Sequence, residues 1–471
     1  MLLPFAGKWA GLGDSCEGSE VLLAARARSA AWTIVATAAL IGGAPITGCG
    51  HRGGGTRLEK ADEEDVPVPD VPSPAASGPR LGALADVTPI LDRPSKRGAQ
   101  IGYLHAGATV ARSAEPLSTR GCDGGWFAVR PKGFVCASGA ATTDLRHPTL
   151  AAMAMGPRLD ASLPYTYARA VRDTTLFEPD PARDDAVRPI GALRAKSGLA
   201  VIGSWTALDP SGKETRLAMM TDGHFLPAGD LAAATPSQLE GVALGGGTKL
   251  PVAFVVKRGV HLWALRDEEP EKQTPLEYHA RVNLTGRFRT INRVELWATA
   301  EGRWVRREDV TLIQERHELP AFATEEQRWI DISIVTGALV AYEGRKPVFA
   351  TLASVGRDRL GAPESNATTT RGELTVIAKH LTAKGRDPGA FQEGVALYDI
   401  PWALELSSGQ LVVGAYWHDR FGIEHGPGNI ELSPSDAARL FRFAEPELPE
   451  GWHGATQKVG SGKPTIVNVR K

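Results

Sequence analysis

Residues 329–334 read WIDISI and residues 338–343 read ALVAYE, with Thr336 and Gly337 between them. Both runs are rich in β-branched and aromatic residues, and a glycine turn separates them, which is the pattern of a β-hairpin. A third apolar run, PVFATLAS, follows at residues 347–354. The pattern therefore predicts three consecutive strands in this part of the chain.

The composition extends this interpretation to the whole chain. Its 471 residues are 42% hydrophobic, and at roughly 100 to 200 residues per domain they predict several domains. The 52 glycines and 33 prolines, without a long amphipathic helical run, favour short strands joined by turns, so a mainly β chain is expected. Lysine and arginine (53) nearly balance aspartate and glutamate (54), which argues against a nucleic-acid partner.

Residues 1–49 have the order of a secretory signal peptide. Arg26 and Arg28 precede an apolar run at residues 30–44, and small residues then lead to Cys49. The final residues, ITGC, closely resemble a bacterial lipobox, which implies that Cys49 is lipidated and becomes the mature N-terminus. The predicted location is therefore outside the cytoplasm, on an envelope membrane to which the lipid anchors the protein.

The translation start and the segment after Cys49 are also informative. Acidic residues among the first 20 fit a signal peptide poorly, so the true start is predicted near Val21. Residues 50–80 are rich in glycine, proline and charge and poor in large apolar residues. A segment of this composition buries too little apolar surface to compensate for the conformational entropy that it would lose on folding. This segment is predicted to be a disordered tether.

Three segments share a pattern of short strands and glycines that ends in a Gly-aromatic turn. The first contains Trp126 followed by GFV at residues 133–135, and it resembles a bacterial SH3-like domain. Weaker instances follow at residues 190–226 and 294–305. The sequence thus predicts three related SH3-like small barrels, at residues 81–150, 151–240 and 241–325. Trp126 and Trp304 are expected to fill barrel cores rather than to bind glycans or peptides.

Two cysteines flank the Trp126 strand. Cys122 and Cys136 are expected to pair in an exported protein, because disulfides persist in oxidising compartments. Two thiols without nearby histidine or cysteine companions supply half of a zinc shell, so a metal site is not expected there.

The last predicted domain, residues 326–471, carries further strand patterns and one helix signal. After the hairpin come GELTV at 372–376, YDIPW at 398–402 and GAYWH at 414–418. A short helix is predicted over residues 436–443, with Pro434 in its first turn and either Ser433 or Ser435 as its N-cap.

These segments, in this order, resemble the catalytic domain of the YkuD-type L,D-transpeptidases, which cross-link peptidoglycan stem peptides. The matching motifs are YWH at 416–418, FG at 421–422, LSP at 432–434 and DA at 436–437. The SH3-like segments and the tail PEGWHG at 449–454 resemble a multidomain lipoprotein branch of that family. The resemblance implies a β-sandwich domain with a short helix and a peptidoglycan ligand.

The family's nucleophilic cysteine is missing. Aligned without gaps, the family's Ser-His-Gly-Cys-x-Asn motif falls on Gly426, Pro427, Gly428, Asn429 and Glu431. A shift of two residues restores a histidine at His425 but places Pro427 at the cysteine position. Either register removes the thiol, and no cysteine follows Cys136. Upstream, Val413 replaces a histidine that opens the family's His-Gly-x-Tyr-Trp-His strand.

The remaining side chains of this segment supply the candidate site. Tyr416, Trp417 and His418 are predicted to line the groove, although tyrosine and tryptophan at such positions also serve as core. His425 is the candidate residual base. His418, His425 and Glu424 form a possible acid–base cluster or metal site, which we expect to be solvated instead, and neither a metal nor a cofactor is predicted.

The leading hypothesis is a catalytically inactive, transpeptidase-like lipoprotein that binds peptidoglycan or a cell-wall enzyme. The alternative is an active enzyme of that family with relocated chemistry, in which His425 acts with another nucleophile or a metal-bound water. A third hypothesis is an envelope spacer that neither binds nor catalyses. The sequence leaves these three open.

Overall fold

The structure is a computed structural model that describes residues 70–358, 360–384, 395–460 and 462–471. The predicted signal peptide, Cys49 and residues 50–69 of the predicted tether lie outside these ranges. The prediction of a mainly β chain is confirmed, because the described residues form many short strands and only two short α-helices. Among these residues, no helix has the length and apolar character needed to cross a membrane.

The first part of the described chain forms seven strands and a short helix. Four of the strands pair in the order β3-β2-β6-β5, and the other three in the order β4-β1-β7. Trp126, in β5, is 2% exposed and serves as core. The elements are β1 (Arg80–Ala83), β2 (Thr88–Leu91), β3 (Gln100–Leu104), β4 (Thr109–Ala111), β5 (Trp126–Ala128), β6 (Phe134–Cys136), β7 (Ala141–Thr142) and α1 (Pro148–Ala152).

The predicted disulfide is confirmed, since Cys122 and Cys136 are bonded across a sequence separation of 14 residues. A loop of this size restricts the unfolded chain, so the double substitution to serine should lower the free energy of unfolding by roughly 3 kcal/mol. Urea unfolding of the wild type and the double variant measures this difference. A cost near zero would contradict it, and the surface substitution Ser138→Ala serves as the control.

The middle of the chain builds two seven-stranded sheets. The first has the order β10-β9-β13-β12-β11-β8-β14 and the second β18-β17-β21-β20-β19-β16-β22. The strands of the first are β8 (Thr166–Ala170), β9 (Thr174–Pro179), β10 (Val187–Leu193), β11 (Gly198–Leu208), β12 (Glu214–Met220), β13 (Phe225–Pro227) and β14 (Leu231–Ala233). Those of the second are β16 (Val252–Val255), β17 (His261–Arg266), β18 (Glu269–Pro275), β19 (Arg281–Ile291), β20 (Val294–Thr299), β21 (Trp304–Arg306) and β22 (Val310–Ile313). A 3-10 turn precedes the last strand of each, at Ala228–Asp230 and Arg307–Asp309.

One strand order recurs in all three segments. Counted from the first strand of each, both seven-stranded sheets follow the order 3-2-6-5-4-1-7. The N-terminal strands follow it too, because β3-β2-β6-β5 and β4-β1-β7 are its two halves, and a bridge between Arg112 and Val129 connects them. A repeated topology of this kind is what related modules produce.

The last region forms a large sheet that extends beyond its predicted boundaries. The predicted boundary at 241 places Val242–Ala243 (β15) in the third barrel, but this strand instead pairs with β25 (Lys346–Leu352), where Val242 lies opposite Ala350. The remaining elements are β23 (Arg328–Ser333), β24 (Ala338–Glu343), β25 (Lys346–Leu352), β26 (Gly372–Ala383), β27 (Ile400–Leu406), β28 (Leu411–Gly414), β29 (Ile430–Leu432), α2 (Pro434–Phe443), β30 (Gly454–Thr456) and β31 (Ile466–Arg470).

Part of the N-terminal strands belongs to this sheet and does not form a separate preceding module. β30 pairs with β26 on one side and with β3 on the other, with Gly102 opposite Ala455 and Tyr103 opposite Gly454. The sheet therefore runs from β15 to β5 without interruption. Strands from the two ends of the described chain thus meet in one sheet.

Helix α2 begins as one of the two predicted caps requires. The Ser433 hydroxyl accepts the Asp436 N–H at 3.3 Å, and Pro434 occupies the first turn. Leu440 and Phe441 of the helix are buried against the core of the last region, where Phe441 lies 5.2 Å from the Trp402 ring. The helix follows directly on β29 and so holds this strand in place beside β28.

Candidate functional site

The candidate site lies in the connection between two parallel strands, β28 and β29. Their pairing places Val413 opposite Glu431 and Gly414 opposite Leu432. Parallel strands need a crossover connection. Residues 415–429 must therefore run from the C-terminal end of β28 back to the N-terminal end of β29. This return brings His418 and His425 of the connection against Glu431 of β29.

Glu431 accepts hydrogen bonds from both histidines through a single oxygen. Its Oε2 lies 2.9 Å from His418 Nε2 and 3.0 Å from His425 Nδ1. The two imidazole rings are 4.1 Å apart, tilted by 39°. The Glu431 side chain is 1% exposed and that of His418 6%, whereas His425 is 20% exposed and faces the solvent side of the cluster. We refer to these three residues as the His-Glu-His cluster.

The carboxylate of the cluster is held in its ionised form. Burial by itself would raise the pKa of Glu431, but the hydrogen bonds from His418 and His425 outweigh it and lower the pKa below its usual value. The second oxygen, Oε1, is buried and has no hydrogen-bond partner among the described residues. A buried anion thus sits beside two imidazoles with one oxygen unpaired.

The loop comes close enough to Glu431 only because it contains glycine. Gly426 has φ +76°, and a Cβ there would lie 2.8 Å from Glu431 Oε1. Gly428 has φ +122°, and a Cβ there would lie 2.8 Å from the Thr368 carbonyl oxygen. A side chain at Gly426 would push the loop away from Glu431 in β29, and one at Gly428 would push it away from the segment that contains Thr368.

The two positions aligned with the family's cysteine carry no nucleophile. Asn429 uses its side chain to hold the backbone, since its Oδ1 accepts the Leu411 N–H at 3.0 Å. Pro427 has no reactive atom. The Gly428 carbonyl between them accepts the Thr369 hydroxyl at 2.8 Å. This part of the loop is therefore occupied with structural hydrogen bonds.

The three predicted groove residues have different surroundings in the structure. Tyr416 is 1% exposed and its ring lies 4.4 Å from Tyr167 of the second segment, so its assignment to the groove is corrected to core. Gly198 allows this packing, because a Cβ there would lie 2.2 Å from the Tyr416 hydroxyl. Trp417 is half-buried beside His418, which belongs to the cluster.

Neighbouring segments hold the connection from outside. Arg169, in β8, donates to the Trp417 carbonyl at 3.3 Å. His279 lies 3.4 Å from Asp419, and the Ser237 hydroxyl donates to the same carboxylate. A strand of the first central sheet and two residues between strands thus position the loop that carries the cluster, and no sequence motif marks these three residues.

The structure adds a carboxylate that the sequence did not group with the two histidines. The sequence grouped Glu424 with His418 and His425, but Glu424 forms a backbone bridge to Val355, while Glu431 accepts from both rings. The alignment had marked Glu431 only as a replacement for the family's asparagine. The feature that brings Glu431 to the histidines is its place opposite Val413 in the parallel pair of β28 and β29. The sequence does not show this pairing.

Chemically, the cluster offers nitrogen and oxygen donors but no thiolate. An ionised carboxylate that accepts an imidazole N–H orients that ring and sets its tautomer, as in acid–base dyads. The same three atoms, within 4.8 Å of one another, are also the donor set that divalent metal ions accept. Among the described residues, this is the one group of three or more such side chains.

The sequence matches no protein-family model. It also matches no curated protein. Solved L,D-transpeptidase structures do show a distant, partial similarity to this chain. The structure from Mycobacterium smegmatis matches at 22% identity over 39% of this chain and 76% of that chain, with a TM-score of 0.23. Those from Xylanimonas cellulosilytica DSM 15894 and Stackebrandtia nassauensis match at 18% and 16% identity over 33% and 34% of this chain, with a TM-score of 0.21 each. The matches cover 64% and 58% of those two chains, less than two thirds of their lengths.

Proposed function

We propose that the protein is an exported cell-envelope lipoprotein whose transpeptidase-like region binds peptidoglycan, or an enzyme that acts on it, without thiol acyl transfer. The observation that carries this proposal is the loop from Phe421 to Leu432. Motifs of the transpeptidase pattern flank it, while Asn429 at the aligned cysteine position is engaged with the Leu411 backbone. An amide in that position cannot attack a carbonyl.

The export part of the proposal is supported by the Cys122–Cys136 disulfide. Disulfides form and persist in oxidising compartments such as the periplasm and the cell surface. The lipid anchor at Cys49 is proposed from the sequence around it. Both features favour a folded region outside the cytoplasm, where peptidoglycan is accessible.

The test combines binding and turnover on one preparation of the full chain. We expect the protein to sediment with purified sacculi more strongly than an unrelated lipoprotein of similar size and charge. Incubation with disaccharide-tetrapeptide should yield no cross-linked or hydrolysed product by mass spectrometry. Sedimentation equal to that of the control would contradict peptidoglycan binding and leave a partner enzyme or a spacer role to account for the domain.

A second candidate function is an active enzyme with relocated chemistry, and one observation favours it. The Glu431 carboxylate accepts from His425 Nδ1, which is the arrangement that orients a general base. Such an enzyme would form product from the disaccharide-tetrapeptide and lose this activity in His425→Ala but retain it in His317→Ala, whose histidine is exposed elsewhere. Product formation with this dependence would replace the proposal of an inactive protein.

A further inference from the structure

The His-Glu-His cluster has the composition of a metal site. Two imidazole nitrogens and one carboxylate oxygen lie within 4.8 Å of one another, and both nitrogens lie within 3.0 Å of the same oxygen. Three protein ligands of this kind, with one further position left for water, are the pattern of zinc sites that are open to solvent. Two histidines and one carboxylate also bind other divalent first-row ions.

We propose that His418, His425 and Glu431 bind a divalent transition-metal ion of the zinc class. The ligands are His418 Nε2, His425 Nδ1 and the Glu431 carboxylate. The partial exposure of His425 leaves the solvent side of the cluster as the route by which the ion enters. This site is independent of whether the protein binds peptidoglycan.

A second observation points to a cation at this place. Glu431 Oε1 is buried and has no hydrogen-bond partner among the described residues, although its carboxylate is surrounded by protein on nearly every side. A buried carboxylate with an unpaired oxygen is costly unless a positive charge compensates it. A metal ion supplies that charge at the position where the ligand atoms already converge.

Backbone hydrogen bonds hold two of the three ligand residues in place without a metal ion. Glu431 exchanges two hydrogen bonds with Ser354, N–H to carbonyl at 2.9 Å and 2.8 Å, and the His425 N–H donates to the Val355 carbonyl at 2.8 Å. Two of the three ligands are thus attached to the same neighbouring segment, residues 354–355. Ligands held by rigid elements bind a metal with little reorganisation.

One contact opposes the proposal but is weak. His418 Nδ1 accepts the Arg420 N–H at 3.0 Å, so in the hydrogen-bonded network the proton of His418 lies on Nε2. Metal binding at Nε2 moves this proton to Nδ1 and breaks the bond to Arg420. Arg420 is exposed, so water replaces that bond. Metal binding at His425 Nδ1 likewise leaves the proton of that ring on Nε2. Metal–ligand bonds replace the hydrogen bonds from both rings to Glu431. Of these three hydrogen bonds of the two rings, the bond to Arg420 is thus the one that no metal–ligand bond replaces, and its loss is small beside three metal–ligand bonds.

The experiment uses the full chain after treatment with a chelator and exhaustive dialysis. Calorimetric titration with Zn²⁺ should show one ion per chain, and Co²⁺ should give the intense visible absorption of a four- or five-coordinate ion. His425→Ala and Glu431→Gln should each weaken binding by roughly a hundredfold and abolish the Co²⁺ absorption. Zn²⁺ should also raise the thermal unfolding temperature of the wild type but not of these variants.

The matched control is His224→Ala, which removes a histidine paired with a carboxylate, Asp222, at 3.0 Å in the second segment. This variant should bind Zn²⁺ as the wild type does. If Glu431→Gln fails to fold, His425→Ala still decides the matter, because its side chain is partly exposed. A wild type that takes up no stoichiometric ion, or uptake unchanged in His425→Ala, would overturn the proposal and leave a hydrogen-bonded network only.

Discussion

Replacing Trp452 by alanine is expected to lower the free energy of unfolding by about 3–5 kcal/mol, the range for a large aromatic removed from a core. Trp452 is 1% exposed, and its Nε1 donates to the Arg130 carbonyl at 2.9 Å. The indole lies on Gly102, where a Cβ would be 2.3 Å from the ring. A residue near the C-terminus thus completes the core of the N-terminal strands.

Urea unfolding followed by far-UV circular dichroism measures this cost. Because Trp452 joins β3 and β30, the variant should also expose the N-terminal strands to limited proteolysis under native conditions. Phe288→Ala is the control, since that ring is 57% exposed and its loss should change stability by less than about 0.5 kcal/mol. A cost below about 1 kcal/mol for Trp452→Ala would mean that the N-terminal core is complete without it.

Acid is expected to destabilise the folded protein through the neighbouring residue, His453. Burial, and after it the nearby His105, lower the pKa of His453 from 6.5 to about 3, although a hydrogen bond with the Gly451 backbone acts in the opposite direction. Burial also lowers the pKa of His105. The two rings lie 4.8 Å apart, and His453 is 5% exposed.

The direction of the effect follows from proton binding. Below pH 6.5 the unfolded chain binds a proton at His453, whereas the folded chain does so only near pH 3. The stability due to the neutral ring is therefore complete above pH 6.5 and is lost as the pH falls toward 3. Between pH 7 and pH 4 the loss from His453 is roughly 3 kcal/mol.

The measurement is the free energy of unfolding of the wild type and of His453→Phe at pH 7 and pH 4. The variant should lose less stability between the two pH values than the wild type, by roughly 3 kcal/mol. His317→Phe, at an exposed position, should retain the wild-type dependence. Equal pH dependence in the wild type and His453→Phe would show that His453 does not stay neutral in the folded state.

Some features were predictable because they depend on residues close together in the chain. The hairpin formed by β23 and β24 follows from alternating apolar runs around Gly337, and the start of α2 follows from Ser433 and Pro434. The disulfide followed from two cysteines around one strand together with the expectation of export. Local pattern and turn chemistry are sufficient for such features.

Other features could not be predicted because they join distant parts of the chain. The pairing of β3 with β30 and the packing of Trp452 on Gly102 connect residues about 350 positions apart. Tyr416 was assigned to a groove because the sequence does not show that Tyr167 covers its ring. Glu424 was grouped with the histidines because it is adjacent to His425 in the sequence, whereas Glu431 meets them only in the folded chain.

The sequence by itself determined that the chain is mainly β and that no thiolate is available after Cys136. Composition and local pattern decide such properties, because a strand propensity or a missing side chain does not depend on what packs against it. Only the tertiary structure decided that His418, His425 and Glu431 meet. Their meeting requires the parallel pairing of β28 with β29 and a crossover between them, and this geometry arises from hydrogen bonds and burial across the sheet.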